Sequence, residues 1–229
     1  MSLQLPRTLS FSVTPPQAII FDLEGVVVDT ERVWDEAQRL LLSDYGISYE
    51  RDRLKHLLSG RSIDDSIDIL CATFGLDADT LSLKQELLSI VADRFRHSIS
   101  FVDGFQSFYA LVPSSIQCCI ATGMAISLFR VLDSMLDVSG LFNGRVFTTE
   151  DAGGIAKPEP DLFQHAARRM QVPYAQCTVI EDSPLGVHAA KRAGMYSVGL
   201  ATTYEEAALS MADLVVSSYA ELNSHISQR

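Results

Sequence analysis

Short, uninterrupted apolar runs alternate with longer amphipathic stretches along most of this sequence. The first run covers 18–21 and leads directly into Asp22. Runs of this length without alternation are typical of strands that are buried on both faces of a parallel sheet. The pattern predicts strands at 18–21, 116–121, 146–147, 177–180, 196–200 and 214–216.

Stretches with helical periodicity lie between these strands. The pair Ser183-Pro184 is typical of a helix start, since serine caps the free backbone amides and proline is tolerated at the first helical position. Helices are predicted at 103–111, 125–136, 160–170 and 184–193. Strands and helices in alternation predict a Rossmann-like α/β core of three layers, a parallel sheet covered by helices on both faces.

About ninety residues separate the first predicted strand from the second, whereas a crossover helix needs only about a dozen. The surplus indicates an inserted, all-helical cap domain at 32–98, within a core formed by 17–31 and 99–229. Residues 1–16 are expected to be a disordered leader. The apolar stripes that predict the cap helices are Trp34, Ala37, Leu41 and Tyr45; Ile63, Ile67, Leu70 and Phe74; and Leu88, Val91 and Phe95.

Composition excludes several classes of protein. The chain has 229 residues, 47% of them hydrophobic, yet no apolar run is long enough to span a membrane. A net charge of −11 argues against nucleic acid as a partner, because phosphate backbones are bound by clustered lysine and arginine. The four cysteines lack a Cys-x-x-Cys spacing and are expected to be reduced. We therefore expect a cytoplasmic protein, a monomer or weak dimer, with neither membrane nor nucleic-acid partners.

Polar residues follow three of the predicted strands directly. They are Asp22 and Glu24 after the first, Thr122 after the second, and Glu181 and Asp182 after the strand at 177–180. Because the carboxyl ends of parallel strands meet at one edge of a sheet, these side chains are expected to converge there. Each has an ordinary structural explanation as well: a solvated turn, a helix cap or a polar strand-to-helix connection. Their occurrence together favours a functional site.

The residue types fit phosphate chemistry. The carboxylates of Asp22, Glu181 and Asp182, with the backbone carbonyl of Glu24, are hard oxygen ligands of the kind that Mg²⁺ prefers. Asp22 can also attack phosphorus and form an aspartyl-phosphate. Two further polar residues complete the set: the hydroxyl of Thr122 can donate to a phosphate, and Lys157, in a loop before a helix, can neutralise charge.

The sequence resembles the haloacid dehalogenase superfamily, subfamily I, whose helical cap is inserted after the first strand. Four segments carry the resemblance, one for each family motif: 21–26 (Phe-Asp-Leu-Glu-Gly-Val), 121–123 (Ala-Thr-Gly), 157–158 (Lys-Pro) and 179–186 (Val-Ile-Glu-Asp-Ser-Pro-Leu-Gly). The resemblance implies that the amides around Leu23, Glu24 and Gly123 contact the phosphate. It also implies that a cap loop, Gly60-Arg61-Ser62, reads the rest of the substrate.

The resemblance implies a Mg²⁺-dependent phosphatase of a small phosphorylated metabolite, such as a sugar phosphate or phosphoglycolate. The second acid of the first motif would protonate the leaving group and then activate water. In this chain that residue is Glu24, where phosphatases of the family usually have aspartate. The carboxyl group therefore lies one methylene further from the backbone, which leaves the efficiency of proton transfer open.

Four alternatives to a phosphatase stay open. A phosphosugar mutase of the β-phosphoglucomutase type would usually have histidine and arginine where this chain has Trp34 and Ile63. A dehalogenase needs no metal, so Glu181 and Asp182 argue against it. A phosphonatase would usually have a small residue at position 24. A catalytically weakened binding protein is the remaining alternative, and the substitution at Glu24 is its only support.

Overall fold

The structure, a computed structural model, describes residues 15–58 and 63–227. The strands are β1 Ala18–Phe21, β2 Val28–Asp29, β3 Ser100–Phe101, β4 Gln117–Thr122, β5 Val146–Thr148, β6 Cys177–Glu181, β7 Tyr196–Leu200 and β8 Leu214–Val216. The helices are α1 Glu31–Asp44, α2 Arg51–Leu58, α3 Ile63–Phe74, α4 Thr80–Ser98, α5 Phe105–Tyr109, α6 Ile126–Leu136, α7 Val138–Leu141, α8 Asp161–Met170, α9 Pro184–Arg192 and α10 Tyr219–Ser227. Short 3-10 helices cover Tyr174–Gln176 and Glu206–Leu209.

Six strands form one parallel sheet in the order β5-β4-β1-β6-β7-β8, and β2 pairs with β3 separately. The apolar run of β1 is fully buried and occupies an interior position of the sheet, between β4 and β6. Phe21 is in register with Ile120 on one side and with Ile180 on the other. The residues that follow these strands therefore emerge side by side at one edge. The predicted α/β core with a parallel sheet is confirmed.

Side chains alternate between the two faces of the sheet, and each face has its own core. On one face, Ile20 belongs to an apolar cluster with residues of α8 and α9, among them Phe163 and Ala190. On the other face, the ring of Phe21 meets Phe105 and Phe142 edge-on, with centroids 5.9 and 5.6 Å apart. Helices cover both faces because both faces of the buried strands are apolar. The two cores hold the carboxyl end of β1 in place.

By its internal contacts the chain divides into two compact units. The described residues of Met1–Val28, Phe101–Gly123 and Ser139–Arg229 form the first, and Asp29–Ser100 with Met124–Val138 form the second. The second unit is helical, and α4 packs against α1, α3 and α6 within it. The domain boundaries predicted from the sequence, with a cap at 32–98, stay a prediction.

The buried stripes of the second unit differ in part from those expected. In α4, Leu83, Leu87, Val91 and Phe95 are buried at a spacing of four, whereas the predicted Leu88 is half-buried. In α1, the face with Val33, Ala37 and Leu41 is buried and Trp34 is half-buried, whereas Tyr45, which follows the last residue of the helix, is exposed. Tryptophan and tyrosine have an apolar body and a polar tip, so an aromatic residue in a helical pattern need not lie at the centre of the buried face.

Several elements were not predicted: α2, α7, α10, β2 and β3. Each is short or carries many polar residues, so its hydrophobic period is weak. Helix α5 also has only five residues, fewer than the interval 103–111 suggested. The predicted leader falls mostly on residues 1–14, which lie outside the described residues. Among the helices that the structure describes, none is long and apolar enough to cross a membrane.

Candidate active site

A tight loop follows β1 and fixes the position of Asp22. The amide of Asp22 donates to the carbonyl of Ile180 on β6 at 3.0 Å, so the strand pairing continues into the loop. The amides of Val27 and Val28 both donate to the carbonyl of Leu23 at 2.9 Å, which turns the chain back on itself. The Leu23 side chain is fully buried. Leu23 therefore anchors the loop through its side chain and its carbonyl.

Gly25 lies in this loop with a φ of +72°, a left-handed conformation that residues with a Cβ rarely adopt. A Cβ on Gly25 would also lie 2.0 Å from Oδ2 of Asp182, far inside van der Waals contact. Glycine is thus required at this position for two separate reasons. The space left by the missing side chain is occupied by the carboxylate of Asp182.

Lys157 joins the carboxyl groups that follow β1 and β6. Its Nζ lies 2.5 Å from Oδ1 of Asp22 and 2.5 Å from Oε1 of Glu181. The ammonium also lies 5.0 Å from the centroid of the Phe163 ring, on α8. Burial lowers the pKa of Lys157, but Asp22 and Glu181 more than reverse this effect and raise it above the ordinary value. Lys157 is therefore a permanently charged bridge at neutral pH.

Both oxygens of the Glu181 carboxylate have hydrogen-bond donors. Oε1 accepts from Lys157, and Oε2 accepts from the backbone amide of Ser183 at 2.8 Å and from its hydroxyl at 2.9 Å. The hydroxyl of Ser183 in turn accepts from the amide of Gly186, as expected for the cap of α9. A Cβ on Gly186 would lie 1.7 Å from Oε1 of Glu181, so only glycine leaves room for the carboxylate.

Asp22, Glu181 and Asp182 form a buried acidic cluster, with one ligand oxygen from each within 4.8 Å of the others. Burial is the main cause that raises the pKa of Asp22 to about 7, and it raises the pKa of Asp182 well above its ordinary value. Repulsion from Glu181 acts in the same direction on both groups. Three carboxyl groups face the single positive charge of Lys157, so a divalent cation would balance the remaining charge. The donor set of hard oxygens fits such an ion.

The other predicted site residues lie around this cluster, apart from the cap loop. Thr122 is buried at the end of β4, the strand that neighbours β1, and Gly123 follows it. Glu24 is half-buried, two residues beyond Asp22 in the tight loop. The predicted cap-loop residues, Gly60, Arg61 and Ser62, lie outside the described residues. The roles assigned to all of these residues stay predictions.

The sequence reasoning missed two threonines. The hydroxyl of Thr203 donates to the carboxylate of Asp182, and the hydroxyl of Thr202 donates to the carbonyl of Gly25 at 2.5 Å. Both follow β7, which ends at the same edge of the sheet as β1 and β6. The signal that could have found them is the one that found Thr122: a polar residue shortly after a buried parallel strand.

Comparison with known proteins identifies the same family as the sequence motifs. Residues 16–194 match the family described as haloacid dehalogenase-like hydrolase. The chain is 29% identical over 206 residues to the validoxylamine A 7'-phosphate phosphatase of Streptomyces hygroscopicus subsp. limoneus, which covers 89% of this chain and 94% of that protein. It is 30% identical over 190 residues to the β-phosphoglucomutase of Bacillus subtilis, which covers 80% of this chain and 83% of that protein.

A solved structure supports the fold. The crystal structure of a hydrolase of this family from Deinococcus radiodurans, with bound phosphate and sodium, superposes with a TM-score of 0.74. The two sequences are 23% identical, and the match covers 93% of this chain and 96% of that one. The predicted family and the predicted class of enzyme are confirmed. With its acidic cluster at the carboxyl edge of a parallel sheet and a family match over most of its length, the chain belongs to the haloacid dehalogenase-like hydrolases.

Proposed function

We propose that this protein hydrolyses the phosphate monoester of a small metabolite, with Asp22 as the nucleophile and Mg²⁺ as the cofactor. The observation that carries the proposal is the bridge from Lys157 to Asp22 and Glu181, beside the carboxylate of Asp182. A nucleophile, a fixed positive charge and a set of cation ligands occur together in one buried place. Phosphate monoesters are extremely slow to hydrolyse without such help.

The cation would be held by the carboxylates of Asp22 and Asp182, together with the backbone carbonyl of Glu24. Glu181 belongs to the same cluster, but its two oxygens already accept three hydrogen bonds. Its main contribution is therefore to hold Lys157 and the start of α9. When bound, Mg²⁺ would withdraw negative charge from the phosphoryl oxygens and favour the ionised forms of its carboxylate ligands.

In the first half-reaction, a carboxylate oxygen of Asp22 attacks phosphorus and the bond from phosphorus to the leaving oxygen breaks. Glu24, as the carboxylic acid, gives its proton to that leaving oxygen. The ammonium of Lys157 keeps Asp22 oriented and lowers the repulsion between the carboxylate and the phosphate. Thr122 donates its hydroxyl hydrogen to a phosphoryl oxygen. The products of this step are an alcohol and phosphorylated Asp22.

In the second half-reaction, Glu24 is a carboxylate and takes a proton from water. The water oxygen attacks phosphorus, the bond between phosphorus and Asp22 breaks, and inorganic phosphate leaves. Glu24 is again protonated and Asp22 is again a free carboxylate, so the cycle consumes one ester and one water. Each atom of the two substrates is accounted for in the alcohol and the phosphate.

Sugar phosphates and phosphoglycolate-like compounds are the substrate class that we propose. The named phosphatase of Streptomyces, to which this chain is 29% identical, supports a phosphorylated small molecule as the substrate. The similarity to a β-phosphoglucomutase, at 30% identity, supports a second candidate, the transfer of a phosphoryl group within a sugar phosphate. The resemblance weighs against this second candidate, because Trp34 and Ile63 replace residues that such mutases usually have.

The test is phosphate release by the purified protein from a panel of sugar phosphates and phosphoglycolate, with either Mg²⁺ or EDTA. We expect release that depends on Mg²⁺ and disappears in Asp22→Asn. Asp44→Asn, at the exposed end of α1, is the control and should keep full activity. Retained activity in Asp22→Asn would refute the assignment of Asp22 as the nucleophile. Conversion of glucose 1-phosphate to glucose 6-phosphate without phosphate release would replace hydrolysis by the mutase reaction.

A further inference from the structure

The segment that follows β7 reaches the active-site edge of the sheet. Strand β7 pairs with β6 so that Gly199 is in register with Glu181. Ala201 then donates its amide to the carbonyl of Val216 at 2.8 Å, which continues the pairing with β8 beyond the end of β7. The pairing of these strands therefore places the next two residues, Thr202 and Thr203, beside the acidic cluster.

The two threonines contact different parts of the site. Thr202 donates its hydroxyl to the carbonyl of Gly25 at 2.5 Å, within the loop that carries Asp22. Thr203 donates its hydroxyl to the carboxylate of Asp182. Its Oγ1 lies 2.6 Å from the point where a Cβ on Gly25 would be, and Oδ2 of Asp182 lies 2.0 Å from the same point. The hydroxyl and the carboxylate thus share the space that glycine leaves.

We infer that Thr203 is a positioning residue that orients the Asp182 carboxylate for the cation. The inference rests on the proposed function, since it takes Asp182 to be a metal ligand. A carboxylate can rotate about its terminal bond, and a donor fixed to one side selects one orientation. Thr203 suits this role because its branched side chain has few rotamers and its backbone follows a paired strand.

The hydrogen bond from Thr203 acts on the orientation of the Asp182 carboxylate. A hydroxyl that donates to Asp182 fixes the carboxylate within the space that Gly25 leaves open. Removing this donor leaves the carboxylate free to rotate. A ligand carboxylate without a fixed orientation weakens a cation site. Partners of metal-ligand carboxylates typically contribute about 10- to 100-fold to metal affinity or activity.

The experiment measures binding of Mn²⁺ to the metal-free protein. Binding is followed by the decrease in the electron paramagnetic resonance signal of unbound Mn²⁺. Thr203→Val keeps the side-chain shape and removes the donor, so the dissociation constant should rise about 10-fold or more. Thr203→Ser restores the hydroxyl and should bind Mn²⁺ nearly as tightly as the parent protein, since only the branched methyl group is lost. Raising Mg²⁺ above the new dissociation constant should restore most of kcat in Thr203→Val.

Ser197→Ala is the matched control, because it removes another hydroxyl-to-carboxylate bond, from Ser197 on β7 to Asp213 at 3.0 Å. It should lower the melting temperature but leave Mn²⁺ affinity unchanged. If Asp182→Asn loses affinity and Thr203→Val does not, the positioning role is overturned while the proposed function stands. If Asp182→Asn binds Mn²⁺ as tightly as the parent protein, the metal assignment in the proposed function fails first.

Discussion

Raising the pH of the metal-free protein should destabilise it, because the folded state buries the carboxyl group of Asp22. Burial raises the pKa of this group from 3.8 to about 7. Between these two values the folded state binds more protons than the unfolded state, so the free energy of unfolding falls as the pH rises. This direction is opposite to the usual one for a carboxylate in a salt bridge, whose pKa is lowered.

The size of the destabilisation follows from the part of the Asp22 pKa shift that lies between about pH 5 and about pH 8. From about pH 5 to about pH 7, Asp22 is ionised in the unfolded state but still protonated in the folded state. This interval of about two pH units corresponds to a loss of about 3 kcal/mol in the free energy of unfolding, and little further loss is expected up to about pH 8. For a chain of this size, that corresponds to a decrease of roughly 6 to 12 °C in Tm. Asp182 shifts in the same direction and adds to the effect.

The assay is urea unfolding in EDTA at both pH values, for the parent protein and for Asp22→Asn. The variant cannot titrate at this position, so its unfolding free energy should fall less as the pH rises. At the higher pH it should be the more stable protein. Other groups, such as His165, whose pKa is lowered mainly by burial, contribute equally to both proteins and cancel in the comparison.

The reasoning is refuted if the parent protein and Asp22→Asn show the same pH dependence. It is also refuted if the parent protein becomes more stable than the variant at the higher pH in EDTA. Mg²⁺ adds an independent check. Because protons and the cation compete for the same carboxyl groups, stabilisation of the parent protein by Mg²⁺ should grow with pH, and Asp22→Asn should show less of it.

Three further predictions follow from the contacts of the site. Lys157→Met should abolish activity and destabilise the protein by about 3–5 kcal/mol, because the buried carboxylates lose their partner. As the control, Lys191→Met removes the exposed ion pair with Asp213 and should cost no more than about 1 kcal/mol in the same unfolding assay. Gly186→Ala should lower both Tm and kcat, since the new Cβ would lie 1.7 Å from the carboxylate that holds Lys157; unchanged kinetics would contradict this packing. Glu24→Gln should give a burst of p-nitrophenol from p-nitrophenyl phosphate and accumulate phosphate on Asp22, detected by mass spectrometry; turnover at the parent rate would exclude Glu24 as the acid and base.

The order of strands and helices could be predicted from local pattern. Uninterrupted apolar runs such as 18–21 and 177–180 are readable because a strand buried on both faces needs an apolar side chain at every position. The polar residues that follow them, above all Asp22 and Asp182, could be assigned to one edge because parallel strands place their carboxyl ends together. Elements with weak periodicity, such as α2 and α10, could not be predicted in this way.

The pairing of particular atoms was decided only by the tertiary structure. Lys157 is 135 residues from Asp22 and 24 from Glu181, and its bridge depends on strand register and on the loop before α8. The raised pKa of Asp22 depends mainly on burial, which no local pattern shows. Thr203 contacts Asp182 because β7 lies next to β6 and Gly25 leaves the space open. Residue types determine which chemistry is available, whereas distances and solvent exclusion determine which groups carry charge and which groups meet.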